Sequence, residues 1–267
     1  ECRTNMVVGA QMSGYDLWGP HHNDYPPDIE FEHQERNPRV YGEFVWIGFD
    51  YLGEPDPCAQ SGGRSSYFGI FDLAGIPKDR YWLYKAHWRN NVPSAHILPH
   101  WTWPGREGEI TPVHVYTSGD EAELFVNGVS KGRKKRGRYE YRFVWDDVRY
   151  EPGELRVKTW KAGREWAEDA VRTASEPVRV DRMERRFGRL TFITFALKDK
   201  NGEICPNDER LLKFTTARGT RLISLCNGDP SSREDFKGSS MRTFHGLLVA
   251  AVEGAPEGLK FSVQQKR

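Results

Sequence analysis

The sequence predicts a multidomain chain, α/β in its first third and all-β after that. Strands of a (β/α)₈ barrel over residues 1–95 precede two immunoglobulin-like β-sandwich domains over 96–177 and 178–267. Three observations carry this. In Tyr41-Gly-Glu-Phe-Val-Trp-Ile-Gly-Phe-Asp-Tyr-Leu-Gly-Glu-Pro-Asp-Pro57 the first half alternates buried-type with small or polar side chains, the period of a strand, and Gly53, Pro55 and Pro57 then stop it. Trp46, Asp50 and Glu54 fall near its exit. A strand end carrying an aromatic ring and two carboxylates is where a barrel keeps its active site. From His96 onward, short alternating runs recur between turn residues, and around Ser175-Glu-Pro177 a second series of them begins.

Composition narrows the function classes. A chain of 267 residues is long for one core and comfortable for two or three. A net charge of +1 and a pI near 7.9 give no electrostatic case for nucleic acid or an anionic membrane. No apolar run approaches the roughly 20 residues of a membrane span. Aromatics make up 13% of the chain, with nine Trp, and exposed rings of this kind suit the apolar faces of a sugar; the alternative is an aromatic-rich sandwich core. Cys2, Cys58, Cys205 and Cys226 show no CxxC spacing and no His partner at metal-ligand distance, so free thiols are expected, with a Cys205–Cys226 disulfide left open for an oxidising compartment. No metal and no cofactor are expected.

Taken in order, residues from about Met12 to Asn37 are rich in Gly, Pro, His, Asp and Asn and read as a long loop, with two helical turns at Glu30–Arg36. His21, His22 and Asp24 lie in it; the trio invites a metal, yet no further ligand is spaced to complete a site, and a solvated or sugar-contacting loop is the better reading. A second helix starts at Pro77, with Tyr81, Tyr84, Lys85 and Trp88 on the face expected to pack on the barrel, and Asn90-Asn-Val-Pro93 ends it. Strands follow at Thr111–Thr117 and on either side of Asn127-Gly128, the strongest short hairpin signal, then at Arg138–Asp146 and Gly153–Trp160. The later series runs Leu190–Leu197, Leu211–Thr215, Thr220–Leu225, Gly246–Val252 and Leu259–Val263. The basic run Lys131-Gly-Arg-Lys-Lys-Arg-Gly-Arg138 follows a hairpin turn with nothing aromatic interleaved, so it reads as a solvated strand or loop.

The Tyr41–Pro57 wording resembles the last barrel strand of glycoside hydrolase family 2, in its β-galactosidase branch. Arg64-Ser-Ser-Tyr-Phe-Gly-Ile-Phe-Asp-Leu-Ala-Gly-Ile-Pro-Lys-Asp-Arg-Tyr-Trp-Leu-Tyr84 is similar to the family's next segment, Asp120-Glu-Ala-Glu-Leu-Phe-Val-Asn-Gly128 to its small sandwich, and Cys226-Asn-Gly-Asp-Pro230 to a loop of its last domain. The resemblance implies the last strands of a (β/α)₈ barrel, and since a barrel cannot begin at its final strands, a chain continuous with an upstream part of the same polypeptide. It implies retaining glycosidase chemistry, with two carboxyl groups about 5 Å apart as nucleophile and acid/base. Glu1 stands where the nucleophile belongs, although Cys2-Arg3 replaces the small residues of the family pattern. Trp46 corresponds to the aromatic floor under the sugar, with a barrel filler as the alternative. Asp50 and Glu54 match the family's Asp-Tyr-Leu-Gly-Glu-Pro phrase, where they either hydrogen-bond sugar hydroxyls or brace the loop through Arg64. The acid/base lies in an Asn-Glu pair in this family, and no such dipeptide occurs here. The implied function is the C-terminal part of an exo-acting β-galactosidase with a carbohydrate substrate, in a periplasmic or secreted bacterial protein, a homo-oligomer being left open. The rivals are a non-catalytic carbohydrate-binding or scaffolding fragment, and a β-glucuronidase or β-mannosidase of the same family.

Overall fold

Alternating apolar side chains can bury one face only as strands, and from residue 95 onward the chain is organised almost wholly that way. The computed structural model describes residues 27–55 and 62–264. They fall into two compact units, one built from 27–48 and 77–173, the other from 49–55, 62–76 and 174–264.

The first unit holds helices α1 (Pro27–Arg36) and α2 (Asp79–Trp88) and strands β1 (Ala95–Leu98), β2 (Val113–Thr117), β3 (Glu121–Val126), β4 (Val129–Lys135), β5 (Phe143–Trp145), β6 (Glu154–Lys161) and β7 (Arg164–Arg172). They form two antiparallel sheets, β1-β2-β5 and β4-β3-β6-β7. Val113 and Val115 of one sheet share a core with Ala122, Leu124, Val126, Leu155 and Val157 of the other. Trp101 and Trp145 are wholly buried in it, and the Trp101 indole N–H donates to the Glu151 carbonyl at 2.8 Å, the partner a buried indole requires. Asn127 and Gly128 turn the β3–β4 hairpin with φ of 49° and 80°, the left-handed pair that a two-residue turn needs. The basic run lies on exposed β4, where Arg133 pairs with Glu121 and covers the Trp160 ring.

Two expectations are corrected here. No ladder runs through Tyr41–Gly48, and among the described residues no strand precedes β1; the stretch meets another backbone only at its end, where Phe49 bridges Phe71 in parallel. Alternation fixes which side chains share a face, but a strand exists only where a second backbone runs alongside. Helix α2, in turn, packs against β1 and β2 through Leu83, Tyr84 and Ala86, while Trp88 stays exposed; it starts at Asp79, with Pro77 ahead of its N-cap, Lys78. Helix α1 is pinned beside it by fully buried Phe31, which stacks on His87 at 3.9 Å and meets Tyr84 and Tyr141 edge-on, and by the Arg142–Asp28 ion pair.

The second unit holds β8 (Arg179–Phe187), β9 (Leu190–Lys198), β10 (Leu211–Thr216), β11 (Thr220–Cys226), β12 (Ser240–Arg242), β13 (Leu247–Gly254) and β14 (Leu259–Val263). Sheet β11-β13-β9-β8 faces sheet β12-β10-β14 across a core in which Ile193, Phe195, Leu248, Ala250 and Val252 meet Leu212, Phe214, Met241 and Leu259. Residues 49–55 and 62–76 belong to this unit. Their backbone folds back on itself: Asp50 N–H donates to Phe71 O at 2.9 Å, Gly53 N–H to Arg64 O at 2.8 Å and Ser66 N–H to Tyr51 O at 2.8 Å. Gly69 sits inside that return, where a Cβ would stand 2.1 Å from the Asp50 nitrogen and 2.4 Å from the Phe71 oxygen.

Two outcomes follow from this packing. Burial pushes the His87 imidazole below its ordinary value, with Arg136 adding to the effect and Glu35 and Asp28 opposing it. The unfolded chain then binds the proton more readily than the folded one, so stability falls as pH drops below about 6.5 and stops falling once folded His87 also titrates. Thermal melts across that window should show the loss in the wild-type protein and a flatter profile in His87→Phe, which keeps the stacking partner of Phe31. Gly69→Ala has no room for its methyl group and should cost about 1–3 kcal/mol or more by overpacking, read in denaturant unfolding.

Candidate functional site

An open indole and a buried carboxylate stand four positions apart in the sequence, Trp46 and Asp50, and their surroundings differ. Trp46 is 66% exposed, and Tyr41 and Phe44 before it are fully exposed. Both readings of Trp46, aromatic floor and barrel filler, stand beside this exposure.

Asp50 is only 4% exposed, and its Oδ1 accepts the Gly69 N–H at 2.8 Å. This contact ties Asp50 to the backbone of residues 64–71. Glu54, at φ 40°, accepts the Tyr51 hydroxyl. Arg64 braces the loop through its backbone, whose carbonyl accepts the Gly53 N–H, while its guanidinium turns to the Glu234 carbonyl and lies 4.3 Å over the Phe236 ring. A guanidinium stacked on an aromatic face keeps its edge for carbonyl acceptors, which explains the choice.

Residues that sequence reasoning passed over hold this loop from behind. Asp72, 3% exposed, accepts the N–H groups of Ala74 and Ile76, each at 2.8 Å, through Oδ1. The signal was present as an Asp followed three residues later by Gly75, the pattern of a side-chain-capped turn. In the first unit, Asp79 Oδ1 lies 2.7 Å from His96 Nε2, and the Trp82 ring stacks on that imidazole.

Glu1, His21, His22, Asp24, Cys2 and Cys58 lie outside the described residues. Cys205 and Cys226, the pair left open as a disulfide, are both free thiols; each is pushed up to about 11, first by burial. Among the described residues no group of His, Cys, Asp and Glu is arranged to hold a metal ion, and no helix is long and apolar enough to cross a membrane.

Comparison with known proteins gives these features a context. A profile described as "Domain of unknown function (DUF4982)" matches residues 108–167, and one described as "Glycoside hydrolase family 2 C-terminal domain 5" matches residues 179–266. A Bacteroides ovatus protein named beta-galactosidase is 38% identical over 235 residues, which is 85% of this chain and 27% of the relative. A Bacteroides fragilis protein named beta-glucuronidase is 31% identical over 135 residues, 50% of this chain and 19% of the relative. The crystal structure of a beta-glycosidase from Bacteroides vulgatus superposes with a TM-score of 0.78 at 31% identity, covering 90% of this chain and 32% of that one. The chain therefore spans less than a third of the length of each of these proteins. With residues 179–266 matching a C-terminal domain of that family and most of the chain aligning with its members, this chain belongs to glycoside hydrolase family 2, in the C-terminal region of such an enzyme.

Proposed function

We propose that the protein to which this chain belongs is a retaining exo-glycosidase of β-galactosidase type, and that this chain supplies the aromatic platform and the nucleophile. The observation that carries the reading is the open Trp46 ring at the head of the Asp50–Pro55 phrase, in a chain 38% identical to a protein named beta-galactosidase. A pyranose turns an apolar face to such a ring, and contact that tightens as the ring flattens toward an oxocarbenium ion favours the transition state. Glu1 is the nucleophile in this reading, by its place in the family pattern, and forms the covalent glycosyl-enzyme. The acid that protonates the leaving group comes from the upstream part of the polypeptide, because these 267 residues contain no Asn-Glu pair. A periplasmic or secreted location goes with that chemistry.

A second reading, β-glucuronidase, is favoured by the Bacteroides fragilis relative of that name. It requires cations facing the C6 carboxylate, and the sequence offers no family-like motif for them.

A panel of nitrophenyl β-galactoside, β-glucuronide and β-mannoside offered to the complete polypeptide separates these readings. The galactoside should turn over fastest, and a glucuronide preference would replace the first reading with the second. The isolated 267-residue chain, holding at most one carboxylate of the pair, should hydrolyse none of them, and turnover by it would refute the division of labour. In the complete enzyme, Trp46→Ala should lower kcat/KM more than about fivefold, the loss of about 1 kcal/mol of stacking, with an unchanged circular dichroism spectrum. An unaltered rate would remove Trp46 from the site.

A further inference from the structure

The loop that carries Asp50 does not stand alone in the second unit; it is backed by the turn that leaves β11. That turn, Asn227–Pro230, is buried along its length. Asn227 Nδ2 donates to the Arg242 carbonyl at 3.1 Å, and Asn227 Oδ1 accepts the Asp229 N–H at 3.1 Å. Asp229 Oδ1 in turn accepts the backbone N–H of Ser231 at 2.9 Å and its hydroxyl at 2.6 Å. A turn locked by its own side chains is a rigid surface.

Gly228 is where it meets the loop. Its φ is +80°, and a Cβ there would lie 2.0 Å from Asp72 Oδ2, so only a residue without a Cβ can approach this carboxylate so closely. Asp72 is buried and already holds Ala74 and Ile76 with its other oxygen, so a shift of its carboxylate would disturb that turn. Further along, Arg64 N–H donates to the Pro230 carbonyl at 3.3 Å, and Arg233 Nε donates to the Gly62 carbonyl at 3.0 Å. Residues 64–66 then pair with 51–53, and Phe71 pairs with Phe49 and Asp50. From the turn to the Asp50 stretch the connection runs through paired backbone and the buried Asp72 carboxylate, with the Arg233 side chain as a further link.

We infer that the Asn227–Pro230 turn, docked on Asp72, sets the position of residues 49–53, and that Gly228 and Asp72 are positioning residues for the sugar-binding wall. The catalytic part of this inference rests on the glycosidase reading above; the structural part does not.

The test uses the complete protein with Gly228→Ala, Asp72→Asn, Asp72→Ala and the double variant Gly228→Ala/Asp72→Ala. Hydrogen exchange should accelerate about tenfold at Asp50, Gly53 and Ser66 in Gly228→Ala while the β9 and β13 amides keep their protection. On the preferred nitrophenyl glycoside the same variant should raise KM and lower kcat/KM about tenfold, as a displaced wall would. A loss of folded molecules would lower the rate without moving KM. Asp72→Asn, which keeps the shape and the Oδ1 acceptor, should retain wild-type values. In the Asp72→Ala background, where the carboxylate no longer blocks the methyl group, Gly228→Ala should add less than about threefold, the non-additivity of groups in contact. Unchanged exchange at 50, 53 and 66, equal loosening of β9 and β13, an unmoved KM, or effects that simply multiply would each overturn the inference. Should the wild-type protein turn over no glycoside, the glycosidase reading fails and the exchange and double-variant arms decide the structural part alone.

Discussion

The backbone of residues 49–53 must satisfy its N–H and C=O groups without a sheet of its own, and it does so against residues 64–71 of the same chain. This pairing is the constraint on which the candidate site depends. It forces the chain after Gly53 to double back. It admits no side chain at Gly69, where the returning backbone comes within contact of Asp50. It also leaves Asp50 facing the interior of the return, where a carboxylate survives only if an N–H group meets it, and Gly69 supplies one. The burial of Asp50 is thus a consequence of backbone accounting rather than of its own chemistry.

How much of this could be read from the chain depends on the range of the determining interaction. The Asn127–Gly128 hairpin and the β9 strand were legible because their signals are local: a left-handed dipeptide in one case, clean alternation over Leu190–Leu197 in the other. Strands β7 and β8 were not, because Arg164–Arg172 and Arg179–Phe187 carry charges at most positions and lie at sheet edges, where charge on the solvent side guards the open backbone. Tyr41–Phe49 shows the opposite error. Its alternation is as clean as that of β9, yet pairing is a property of two segments, and period alone names only one of them.

The site divides in the same way. Aromatic character at position 46 and acids at 50 and 54 were visible as residue types, but the burial of Asp50 was not. The Asp72–Gly228 contact joins residues more than 150 positions apart, and neither residue type announces a partner at that distance. The CNGDP phrase was noticed for its resemblance alone; its physical content, a self-capped turn pressed on a buried carboxylate, emerges only once the second sandwich has formed.

On the proposed glycosidase reading, this arrangement bears on why a sugar-handling loop would be built against a β-sandwich. Stacking of a pyranose on an indole is worth about 1 kcal/mol, whereas ordering a single loop residue costs about as much again in backbone entropy. A loop left to order on binding would cancel the contact it offers. The return at 62–72 and the turn at 227–230 order residues 49–53 during folding, driven by a core in which Phe195, Phe214 and Phe261 already meet. On that reading the entropy of residues 49–53 is lost before any ligand arrives, and their contacts carry no ordering cost on binding. If the proposed reading holds, the all-β region serves the site through rigidity, although its sheets need touch no substrate.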